Sequence, residues 1–140
     1  MVRGVLGVVA GWIVWFVGFL GLAILLAAIW PDYRVHGQAW MNDHVYDFPT
    51  RMSVFNVTFW ILAEIAAGYV ATLVARRREA LWVLAAIVGG YLVYEHLYAE
   101  WFNLPRWYNL TVAIFAIPAV LFGGRLARRS AKGDRAASVT

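Results

Sequence analysis

The sequence predicts an all-α integral membrane protein: a four-helix bundle with both termini cytoplasmic. Three observations carry that prediction. Hydrophobic residues make up 63% of the 140 residues and charged ones only 14%, too little charge to cover a soluble domain of this size. Four apolar runs, at about 5–29, 53–75, 80–97 and 107–126, are each long enough to cross a bilayer. Lys and Arg collect at alternate run ends. Nine (Arg3, Arg76, Arg77, Arg78, Arg125, Arg128, Arg129, Lys132 and Arg135) fall on one side and three (Arg34, Arg51 and Arg106) on the other. By the positive-inside rule the first set is cytoplasmic. The net charge of +4 is therefore a topology signal, and nucleic acid is not an expected partner. Cysteine is absent, which excludes disulfides and thiolate metal sites.

The first run follows Arg3 in the manner of a secretory signal. Its apolar core is too long for one, so it reads as a retained span. Gly4, Gly7, Gly11 and Gly18 recur at helical spacing and predict a stripe where another backbone approaches closely. Pro31 and Asp32 end this run. The outer segment 31–51 mixes Asp32, Arg34, His36, Asp43, His44, Asp47 and Arg51 with Tyr33, Trp40, Tyr46 and Phe48, the composition of a loop or short helix lying on the membrane interface.

The second run holds a carboxylate, Glu64, near its middle. Ala67, Gly68, Ala71 and Ala75 continue the Glu64 face at spacings of three and four, so Glu64 is expected to face protein and not lipid, with Gly68 at a helix contact. Arg76-Arg77-Arg78 closes the run in a tight turn between antiparallel helices. The third run becomes polar toward its end, where Tyr91, Tyr94, Glu95 and Tyr98 share a face and His96 follows. At about 1.5 Å per residue, Glu64 and Glu95 fall at comparable depths, and Tyr91, Tyr94 and His96 are the expected partners of Glu64. The fourth run contains Pro118 and leads into a basic tail, 127–140, whose composition predicts disorder. Residues 1–126 thus form one transmembrane domain. Phe55-Asn56-Val57-Thr58 and Tyr108-Asn109-Leu110-Thr111 open the second and fourth runs alike, consistent with a duplicated hairpin.

Chemistry is confined to the outer half. A mid-membrane carboxylate costs about 3 kcal/mol on insertion scales and reads as functional by default. Glu64, Glu95, His96, Tyr91 and Tyr94 therefore form the candidate ligand or proton site. His36, His44 and His96 are candidate metal ligands, at spacings that match no known motif. No nucleophile–base pair, phosphate loop or zinc-protease motif is present, so the sequence leans away from an enzyme and identifies neither a reaction nor a cofactor, a metal or haem site staying open. Two classes of function fit. The first is a non-enzymatic packing or accessory subunit, self-associating or joined to a larger complex. The second is a small transporter or channel with a protonatable site at Glu64 and Glu95. The expected compartment is a bacterial-type inner membrane.

Overall fold

The computed structural model describes residues 2–43 and 46–137, with side chains as far as residue 130. The elements are α1 (Val2–Ile29), α2 (Pro31–Asp43), α3 (Thr50–Ala75), α4 (Arg78–Tyr94), which continues into a π-helical turn (Glu95–Ala99), and α5 (Arg106–Ala137). Four of them are long and apolar enough to cross a membrane: Val2–Ile29, Thr50–Ala75, Arg78–Ala99 and Arg106–Ser130. The protein is an all-α membrane bundle. Of the two alternatives for the outer segment, loop or short helix, the helix is found over most of it: Pro31 does not merely stop α1 but starts α2, at the position where its missing N–H costs nothing. His44 lies outside the described residues.

Local chemistry explains the breaks. Pro49 caps α3 from an extended conformation (φ −56°, ψ 148°), and the Pro105 carbonyl accepts the first bond of α5, from the Asn109 N–H at 3.1 Å. Between α3 and α4 the chain turns on two residues. Arg76 is left-handed (φ 54°, ψ 21°), its N–H bonding the Thr72 carbonyl, and Arg77 is extended. A left-handed non-glycine residue costs about 1–2 kcal/mol. At the far end of α4 the helix widens by one residue, closing with a bond from the Glu100 N–H to the Glu95 carbonyl at 2.7 Å.

Small residues set the packing. α1 runs antiparallel to α3. A methyl at Gly7 would stand 2.8 Å from the Ala71 carbonyl oxygen, and one at Gly11 would stand 2.9 Å from that of Ala67. α3 and α5 run parallel and form the largest interface in the bundle. They touch through backbone: Gly68 abuts the Val120 carbonyl, and Gly123 abuts the Ile65 carbonyl. The two contacts are reciprocal, each joining a glycine to the residue three before the other. Gly89 of α4 lies against Ile117, and Gly124 of α5 against Leu81. In lipid, contacts of this kind replace the hydrophobic drive. Of the predicted stripe on α1, only Gly7 and Gly11 meet close neighbours. Gly18 has Ala63 at 3.8 Å, and nothing lies within 4 Å of a methyl at Gly4.

These contacts give the bundle two unlike ends. Val2, Arg3, Arg76 and Arg77 meet at one, as do Arg78, Arg125 and Arg128. α2 and the turn after α4 cover the other, where Leu26, Tyr33 and Met52 form a small core against Trp30, Phe48 and Phe59. The main core, including Trp15, Trp60, Leu84, Val88, Leu92, Tyr108, Val112 and Val120, lies between the spans.

Candidate functional site

Glu64 sits near the midpoint of α3 on the face that carries Trp60, Ala67, Gly68 and Ala71, all buried. Its exposure is 1%. Neither carboxyl oxygen has a hydrogen-bond partner. Buried polar atoms are otherwise paired in more than nine cases in ten, so an orphaned carboxyl marks the place.

One turn toward the aromatic end, Trp60 anchors a shell of rings. It stacks on Phe19 (centroids 3.8 Å apart), tilts against Trp15 at 5.7 Å and meets His96 edge-on at 6.2 Å. Its indole N–H donates to the Tyr108 hydroxyl at 3.1 Å. The Tyr108 ring in turn lies 5.7 Å from both His96 and Tyr46. Asn109 fixes His96. The Asn109 amide nitrogen donates to the Glu100 carbonyl at 3.2 Å, leaving its oxygen to accept from His96 Nδ1 at 2.9 Å. Nδ1 is therefore the ring nitrogen that donates. Nε2 is buried without a partner, as is the Trp15 indole nitrogen. Buried polar atoms without partners thus lie in the core or at its edge on three spans, the Thr72 hydroxyl among them.

Above this shell, Tyr46 donates to Ser53 Oγ at 2.6 Å and Tyr33 to Asn56 Oδ1 at 2.6 Å. Burial pushes both phenols above their ordinary range. The two Asn residues of the repeated tetrapeptides do parallel work. Each ties down the segment preceding its span: Asn56 holds α2 through Tyr33, and Asn109 holds the π turn through His96. Thr58 and Thr111 both donate to the carbonyl four residues back, at 2.8 and 2.7 Å.

The predicted site residues divide. Glu64 and His96 are buried, whereas Tyr91 and Tyr94 are exposed on the outer face of α4. Neither they nor His96 bonds the Glu64 carboxyl, so the expected partnership is corrected. The reason lies in the helix. Leu81, Leu84, Ala85, Val88 and Leu92 turn inward, His96 extends that face, and the tyrosines take the opposite one. Tyr91 retains an edge contact to Trp15 at 5.7 Å, and Tyr94 stacks on Tyr98. Glu95 is half-buried and likewise makes no bond to Glu64. Of the candidate metal ligands, His36 pairs with Asp47 at 2.8 Å and His96 with Asn109. No three His, Asp or Glu side chains gather among the described residues. Trp60, Tyr108 and Trp15 are the shell residues that sequence reasoning passed over. The spacing of Trp60 four residues before Glu64 was the available signal.

No family model, curated protein or solved structure matches this chain. Function is therefore argued from the site itself.

Proposed function

We propose that this integral membrane protein is a small proton-linked transporter or channel with Glu64 as its protonatable site. One observation carries the reading: a mid-span carboxyl, 1% exposed, whose oxygens have no partner among the described residues. An apolar side chain would fill that place at lower cost, so keeping a carboxyl supports a task that needs a proton-binding group. His96 Nε2 is also buried without a partner among the described residues, and Glu95 beside it extends the acidic character toward the aromatic end.

The test uses purified protein in liposomes with a pH-sensitive dye inside. A potassium diffusion potential should drive protons through wild type, and Glu64→Gln, with unchanged helicity, should be silent. Equal flux in both proteins would sink the proposal.

A second reading, a packing or accessory subunit or homo-oligomer, draws on α1. Its stripe is uncovered at Gly4 and Gly21, and the stacked pair Trp12 and Phe16 is exposed. Gly21→Cys should then cross-link to a dimer in native membranes, and purely monomeric protein would remove this reading. The orientation proposed for either case, in a bacterial inner membrane, puts both termini in the cytoplasm and rests on the nine-to-three count. Reporters fused after Arg78 and at the carboxyl terminus should read cytoplasmic, and one at Gln38 external.

A further inference from the structure

The basic end holds a groove unrelated to Glu64. It lies between the start of α4 and the C-terminal half of α5, has a volume of about 250 Å³ and is lined by Arg78, Leu81, Trp82, Leu121, Arg125 and Arg128. We propose that this groove binds the headgroup of an anionic phospholipid, its phosphodiester held by the three arginines.

Four features carry the assignment. None of the three guanidinium groups is ion-paired among the described residues: the only ion pairs there are His36–Asp47 and Arg51–Asp32, at the opposite end. Three uncompensated cations around one concavity call for an anion. The groove opens at the first residue of α4, a helix whose N-terminus has no side-chain cap and whose one first-turn carboxylate, Glu79, is not part of the lining, so the first-turn amides add to the positive field inside it. The lining is graded along the spans. Each arginine-bearing turn is followed, one turn deeper, by an apolar residue: Trp82 after Arg78, and Leu121 before Arg125. Trp82 is 59% exposed, and its indole suits the boundary between headgroup and chain. Charge at the membrane surface above apolar wall is the profile of a lipid, and a free anion would have no use for the lower half. Finally, the volume falls below the roughly 300–1,000 Å³ of drug-sized sites, fitting a headgroup whose chains stay in the bilayer. Basic pockets between spans are a known mode of headgroup recognition.

Native mass spectrometry of delipidated protein, titrated with phosphatidylglycerol, phosphatidylcholine or inorganic phosphate, tests this. One phosphatidylglycerol per chain should bind saturably, with phosphatidylcholine and phosphate far weaker. Arg125→Gln and Arg128→Gln should each weaken it about fivefold, and the pair about thirtyfold. Arg129→Gln makes the same charge change outside the groove and should cost less than twofold. The proposal is overturned if Arg129→Gln weakens binding as much as Arg128→Gln, which would indicate diffuse surface charge. It is also overturned if phosphatidylcholine or phosphate binds as well as phosphatidylglycerol.

Discussion

The crossing of α3 and α5 offers the sharpest test of how this bundle is held. A methyl at Gly68 would strike the Val120 carbonyl oxygen and stand 2.8 Å from its carbon and 3.1 Å from its Cα. Carbon atoms in contact prefer about 3.5–4.0 Å. All three neighbours are backbone and have no rotamer to escape into, so the helices must part by roughly 1 Å. Overpacking costs about 1–3 kcal/mol. Because the displacement loosens the largest interface in the bundle, Gly68→Ala should fall in the upper part of that range. Gly123→Ala, aimed at the Ile65 carbonyl with the Tyr69 nitrogen 2.9 Å away, should cost about the same. Both contacts belong to one crossing, so a pair already parted by the first methyl has room for the second. The double variant should therefore cost less than the sum, by about 1 kcal/mol or more. Reversible unfolding in detergent, followed by circular dichroism, measures all three. Gly90→Ala is the reference, since nothing lies within 4 Å of a methyl there. If Gly68→Ala unfolds with Gly90→Ala, or if the double variant is additive, the shared backbone contact is refuted.

Three further outcomes follow from the same geometry. Glu64→Leu removes a carboxyl that has no partner and should stabilise the fold by about 1–3 kcal/mol while silencing proton flux; a loss of stability would reveal a partner. Gly11→Leu must displace the Ala67 carbonyl and the Ala71 methyl, both 2.9 Å from its first carbon, and should lower the melting temperature sharply, whereas Gly4→Leu should leave it unchanged. Burial raises the phenols of Tyr33 and Tyr46, so the unfolded chain ionises first. The contribution of these two phenols to stability should be constant below pH 10 and fall above it, and Tyr33→Phe with Tyr46→Phe should flatten that fall in alkaline unfolding curves.

Much of the architecture was legible because membrane solvation is a coarse and strong constraint. Apolar length gave four spans, and Pro31 and the Arg76–Arg78 turn marked two of the places where they break. Two things escaped. The π turn at Glu95–Ala99 leaves no periodic trace, since one added residue changes no composition. The inward face of α4 escaped for a different reason. Periodicity identifies residues that share a face, as Tyr91, Tyr94 and Tyr98 do, but in lipid both faces are apolar and nothing local says which turns inward. Glu64 was readable because its own stripe is small, and small residues are where helices meet. Gly4 shows the limit of that rule: it belongs to the stripe of Gly7 and Gly11 yet meets no neighbour, because the partner helix ends at Ala75.

The reciprocal glycine contact also has a mechanical side. Two rods whose bare spots press together come closest there, with backbone meeting backbone at two points. Gly68 and Gly123 are the bearing surfaces of that contact: any change in the angle would turn about them, and a side chain at either position would drive the backbones apart. Small scissoring of α3 against α5 would displace their ends most and their centres least. Glu64 sits next to Ile65, on the bearing itself. The carboxyl therefore sits where the two backbones are held closest, one residue before the carbonyl that Gly123 abuts.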